Sequence, residues 1–190
     1  MDAPGPVQAI SQADAQMDET PRSRRRLRPL ALGGYHPGMT ERAHITPEGG
    51  VRFEDGADRG RVLVFGHETG GRYALMEFVV APRPAGEAPD FGPHRHLEIE
   101  ETFLVRRGQL RFLLGEAVFD LAAGDFVRAA PGVRHGFANV SGAEVELLVS
   151  FHPGGFEELF IAHRSDQAPA PSPTAFMDDA RRLHASEFET

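Results

Sequence analysis

The stretch His94-Arg95-His96-Leu97-Glu98-Ile99-Glu100-Glu101-Thr102-Phe103-Leu104-Val105-Arg106-Arg107-Gly108 joins metal-ligand chemistry to strand periodicity. Side chains two apart in a strand share a face, so His94 and His96 point the same way. Glu101 follows across a bend and can return to that face. A second stretch, Gly124-Asp125-Phe126-Val127-Arg128-Ala129-Ala130-Pro131-Gly132-Val133-Arg134-His135-Gly136-Phe137-Ala138-Asn139, brings His135 near the start of a later strand. Three imidazoles and a carboxylate suit one borderline divalent transition metal: Fe, Mn, Ni, Co, Cu or Zn. Each residue also has an ordinary reading. A lone strand histidine is most often a surface or hydrogen-bonded side chain, and Glu98, Glu100 and Glu101 together read as a solvated charge cluster.

Working outward, segments from about residue 50 are short, rich in Val, Phe and Leu, and mostly bounded by Gly, Pro or Asn. They run 51–54, 61–67, 72–80, 101–107, 109–114, 117–121, 125–129, 133–138 and 144–151. Such spacing predicts an all-β antiparallel sandwich or barrel, and no long helical period supports a βαβ fold. Gly108 and Gly124 stand where turns often need positive φ. Parity from Glu101 places Phe103 and Val105 on the ligand face, and parity from His135 does the same for Phe137 and Asn139. Met76, Phe78, Phe112 and Phe126 are further candidates for an apolar pocket, with plain core packing as the competing reading. Asn139 is also read as a holder of nearby backbone.

The ends differ in character. Residues 1–45 read as a flexible arm, acidic at first and then basic from Arg22 to Arg28. Ser23-Arg24-Arg25-Arg26-Leu27-Arg28 superficially looks like a twin-arginine signal, but Gly33 and Gly34 cut short the apolar stretch such a signal needs. Residues 46–165 are assigned to the barrel. Phe156, Leu159 and Phe160 predict a short amphipathic helix on an open end of it. Residues 166–190 read as a Pro-rich linker and a last helix from Thr174 to Glu187.

Composition narrows the chemistry. The 190 residues include no Cys, which excludes disulfides, thiol nucleophiles and Cys-based metal sites. All 20 basic residues are Arg, which excludes lysine Schiff-base and P-loop mechanisms. A net charge of −8 argues against nucleic acid as a partner. No apolar run is long enough to span a membrane. The expected location is cytoplasmic.

The two stretches resemble the paired motifs of the cupin family: His-x-His, four residues, Glu, six residues, Gly; then Gly, Gly, two residues, His, three residues, Asn. This register selects Glu101 over Glu100. Pro131 stands one position after the family's usual proline, where Ala130 is found, and the upstream glycine of the first motif is not at its usual distance. The resemblance spans about residues 70–152. It implies a double-stranded β-helix, or jelly-roll barrel, with short C-terminal helices. It also implies a metal on His94, His96, Glu101 and His135.

With Pro153-Gly154-Gly155-Phe156-Glu157 after the barrel, the chain is similar to small single-domain cupins of the quercetin-dioxygenase-like group. That similarity implies a dioxygenase with Glu101 as catalytic base, a small hydrophobic enolisable or phenolic substrate, and a homodimer. Related single cupins imply two alternatives: an oxygen-free cyclase, isomerase or decarboxylase, and a non-catalytic binding module. The latter is disfavoured because residues 1–45 show no two-helix apolar pattern for a fused DNA-binding domain.

Overall fold

The structure is a computed structural model that describes residues 44–84, 92–164 and 173–188. The expectations for the basic arm and most of the Pro-rich linker lie outside the described residues. Within them the chain forms β1 Val51–Asp55, β2 Asp58–Val64, β3 Ala74–Val80, β4 His94–His96, β5 Glu100–Arg107, β6 Gln109–Leu114, β7 Ala117–Ala122, β8 Phe126–Ala129, β9 His135–Ala138, β10 Val145–His152, α1 Glu157–Arg164, α2 Pro173–His184 and β11 Ser186–Phe188. All strand pairings are antiparallel. One sheet runs β1-β2-β3-β10-β5-β8 and the other β11-β4-β9-β6-β7. The architecture is all-β and antiparallel, as the strand spacing predicts, and it is the double-stranded β-helix that the motif resemblance implies.

Period-2 alternation decides which way each strand faces. On β3, Ala74, Met76, Phe78 and Val80 are buried; on β10, Val145, Leu147, Val149 and Phe151 are buried. The register sets Leu147 beside Phe78 and Val105, Val149 beside Met76 and Phe103, and Phe151 beside Glu101. The inward row of β5 is therefore one carboxylate followed by Phe103 and Val105. Each fully buried apolar side chain of this size contributes roughly 1.5–3 kcal/mol relative to exposure. A one-residue slip would turn the whole row outward, so this burial fixes the register that aims Glu101.

Two turns meet their expectation. Gly108, between β5 and β6, has φ of 88°, and Gly124, before β8, has φ of 98°. Side-chain-bearing residues rarely adopt that left-handed backbone. Helix α1 packs on β1 and β3, with the Phe160 ring 4.9 Å from Phe53 and 6.2 Å from Phe78.

Three expectations need correction. β2 ends at Val64 instead of reaching His67, because Gly66–Thr69 forms a short 3-10 turn. The last helix stops at His184 instead of Glu187. Ala185 turns into the left-handed region with φ of 48°, and Ser186–Phe188 continues as a strand paired with β4. Phe126, a candidate pocket residue, is 61% exposed. Its neighbour Val127 takes the inward position opposite Phe103.

Candidate metal centre

The site joins the two sheets. β4 supplies His94 and His96, β9 supplies His135, and β5 of the other sheet supplies Glu101. His94 and His135 are direct partners across the β4–β9 pairing, with ring centroids 4.5 Å apart. One ligand atom from each of the four residues lies within 4.8 Å of all the others, and all four residues are buried. The structure thus brings together the ligand set expected from the sequence. Glu100, next to Glu101, points outward and pairs with Arg128.

The hydrogen-bonding pattern fits a metal. The His94 Nδ1–H reaches the Gly92 carbonyl at 3.1 Å, and the His135 Nδ1–H reaches the Val133 carbonyl at 2.9 Å. His96 Nδ1 lies 2.7 Å from Ser186 Oγ. With every Nδ1 engaged by protein, the Nε2 atoms remain for the centre. Metal-ligating imidazoles characteristically bind their outer nitrogen in this way. The Nε2 atoms of His96 and His135 both converge on Glu101 Oε2, at 3.2 and 3.0 Å. Imidazoles that converge on one buried carboxylate oxygen form a donor set that a divalent transition metal can occupy.

Protonation follows from these contacts. Burial pushes Glu101 up, but hydrogen bonds from His135 and His96, and their charges, outweigh it and bring the carboxyl down to about 2. Burial, then the neighbouring His135 and His96, lowers His94 to about 3. Burial also lowers His135, yet its hydrogen bond to Glu101 prevails and the net shift is upward. The cluster therefore carries an ionised carboxylate, and His135 gains a proton more readily than His94.

Aromatic rings surround it. Phe103 lies 6.0 Å from His135 and also packs on Phe112 and Phe137. Phe78 meets Phe137 edge-on at 6.3 Å. Met76 and Val105 are buried in the inward rows of β3 and β5. Asn139 donates to the Val80 and Ala143 carbonyls, a backbone-holding role.

Three residues beside the ligands went unnoticed in the sequence. Phe156 sits 4.6 Å from the His96 ring, Phe188 stacks 5.3 Å from His94, and Ser186 touches His96. Phe156 had a signal, its helical spacing with Leu159 and Phe160. The other two lie some ninety residues from His96 and His94, Ser186 inside the expected last helix and Phe188 just beyond it.

The family model described as "Cupin domain" matches residues 79–151. No curated protein matches the chain. Among solved structures the chain is similar to a conserved protein with a double-stranded beta-helix domain from Klebsiella pneumoniae. The identity is 22%, over 60% of this chain and 93% of that one, with a TM-score of 0.48. It is also similar to a predicted oxalate decarboxylase from Thermotoga maritima, at 16% identity over 50% of this chain and 80% of that one, TM-score 0.45. A third is the polyketide cyclase RemF from Streptomyces resistomycificus, at 25% identity over 50% of this chain and 64% of that one, TM-score 0.41.

Proposed function

This chain carries a cupin domain, and from that premise we propose that it is a metal-dependent dioxygenase acting on a hydrophobic small molecule with an enolisable or phenolic oxygen. The observation that carries the reading is the convergence of His94, His96, Glu101 and His135 within 4.8 Å of one another inside the barrel. One divalent transition metal, held there by these four residues, would supply Lewis-acid chemistry.

The protein's own groups do the rest. His94, His96 and His135 hold the ion through Nε2 while their Nδ1 atoms are anchored. Glu101 accepts the enol or phenol proton at its carboxylate. Its low basicity in the metal-free cluster comes from two hydrogen bonds, each needing an Nε2–H on His96 or His135. An imidazole that gives Nε2 to a metal gives up that hydrogen bond, but the ion's own charge would hold the carboxylate ionised, so Glu101 would take the proton on exchanging its place at the metal. The rings of Phe103, Phe137 and Phe156, extended by Met76, Phe78, Val105 and Phe112, favour a flat apolar substrate and keep water out.

The test is dioxygen uptake by metal-loaded protein with flavonols, catechols and 1,3-diketones. Uptake that needs both metal and substrate supports the reading. Turnover without uptake replaces it with the oxygen-free cyclase, isomerase or decarboxylase reading, and binding without turnover replaces it with a non-catalytic module. In this reading the protein is a homodimer. Leu104 and Phe126 are register partners on the outward side of their sheet, and Phe126 leaves its ring in solvent. A strictly monomeric mass by light scattering at high concentration contradicts the dimer.

A further inference from the structure

The three histidines differ in how their outer nitrogens are held. His94 and His135 each use a carbonyl two residues back in their own chain segment, at Gly92 and Val133. Those partners come from the chain segments that lead into β4 and β9. His96 instead reaches a side chain 90 residues away, Ser186 Oγ at 2.7 Å. Both residues are almost fully enclosed, His96 at 1% exposure and Ser186 at 2%. Water cannot replace the hydroxyl there without a rearrangement.

β11, the strand that carries Ser186, is fastened to β4 in register. Ser186 pairs with His96, Glu187 with Arg95 and Phe188 with His94. Each pair adds a side-chain contact of its own kind. Glu187 meets the Arg95 guanidinium at 2.8 Å on the solvent side, and Phe188 lies nearly parallel to the His94 ring at an interplanar angle of 20°. The Leu97 N–H donates to the Ala185 carbonyl at 3.0 Å. Ala185 itself sits in the left-handed region, a backbone state that costs an ordinary residue roughly 1–2 kcal/mol. That turn ends α2 and lays β11 along β4. A residue held there despite the cost is held by its surroundings.

We propose that β11 is part of the metal centre and that Ser186 is the positioning residue for His96. With an ion bound it accepts the Nδ1–H, which fixes the ring orientation and aims Nε2 at the site. The inference rests on the metal reading above. It assigns a role in that site to a C-terminal strand outside the matched 79–151 segment. A hydroxyl acceptor also leaves His96 less electron-rich than a carboxylate would, which tunes the ion as well as aiming the ligand.

Cobalt(II) binding by the full-length chain tests this, measured by competition with a chromophoric chelator and by the visible absorption of the bound ion. Three variants are compared with wild type: Ser186→Ala, Ser186→Thr and Glu187→Ala. Loss of such an outer partner typically weakens metal affinity about 10–100-fold. Ser186→Ala is expected to fall in that range with an altered cobalt spectrum. Ser186→Thr keeps the hydroxyl and restores both, and Glu187→Ala, on the solvent side, leaves both unchanged. Ser186→Ala that binds cobalt with wild-type affinity and spectrum overturns the proposal. So does a folded Ser186→Thr with affinity as weak as that of Ser186→Ala, because packing and not the hydroxyl is then at work. If the alanine variant fails to fold, a folded Ser186→Thr that binds cobalt about 10-fold or more weakly than wild type overturns the proposal. Wild type that binds no cobalt sinks the metal reading itself, whereas tight wild-type binding unaffected at Ser186 sinks this inference alone.

Discussion

The two faces of β5 hold nearly the same chemistry in opposite media. Glu100 points to solvent and meets Arg128, whose hydrogen bond keeps its carboxyl below the ordinary range. Glu101, the next residue, is buried and meets two imidazoles. Its shift is also downward, but it is the balance of a large burial cost against still larger hydrogen-bonding and charge contributions from the histidines. An exposed pair is screened by water and is easily lost or replaced. A buried carboxylate depends wholly on its partners, because an uncompensated charge there is costly. One step along a strand thus separates a solubilising charge from the proposed ligand and base.

The largest contrast should appear in turnover. Glu101→Gln keeps the three imidazoles but removes the base, and a positioned carboxylate is typically worth about 10²–10⁴ in rate. Turnover should fall by that factor while most of the metal is retained. Glu100→Gln should leave both alone. Near-normal turnover in a metal-loaded Glu101→Gln would make Glu101 a ligand only, and an essential Glu100 would show that the register is wrong by one residue.

Next comes stability. Phe103, buried and in ring contact with Phe112 and Phe137, should cost about 3–5 kcal/mol on replacement by Ala. Phe126, on the outer face, should cost no more than about 0.5 kcal/mol in the monomer. Denaturant unfolding of the two variants checks the difference, and equal losses contradict the assigned faces.

A smaller effect concerns pH and the metal-free protein. His94, lowered to about 3, and His184, lowered to about 4 by burial and then His96, stay neutral when folded and gain protons when unfolded, below about 6.5. Their contribution is present above 6.5 and lost as pH falls through 4 and 3. Glu101, at about 2 against an ordinary 4.5, acts in the same direction at lower pH. His135, shifted upward, opposes them: its contribution is present below 6.5 and lost as pH rises through its folded pKa. Because the His135 contribution is already complete below 6.5, the two lowered histidines set the slope and predict a melting temperature that falls steadily from pH 6.5 to 4. A flat or rising curve contradicts these protonation states.

Much of this was legible in the sequence because it is local. Alternation gave β6 at Gln109–Leu114 without error, and motif spacing separated Glu101 from Glu100. Gly108 and Gly124 marked turns by the one property a glycine has to offer there. What escaped was non-local. Ser186 and Phe188 lie in a three-residue strand following a helix, too short to show a period, and only pairing with β4 makes them a strand. Phe126 was misplaced because no single residue ahead of it sets the parity of β8. The inward position went to Val127 when β8 took its register against β5. Phe156 was recognised as apolar, but its contact with His96 depends on how the chain turns back over the barrel after β10.

Metal content tests the central claim most directly. After exposure to a divalent transition metal and removal of excess, wild type and Glu100→Gln should each hold one ion per chain. His96→Ala and His135→Ala should hold little or none, and retention by wild type should weaken as pH falls through about 6.5, where free histidine gains its proton. Equal metal content in all four proteins, or none in wild type, would contradict the assignment of His94, His96, Glu101 and His135 as a metal centre.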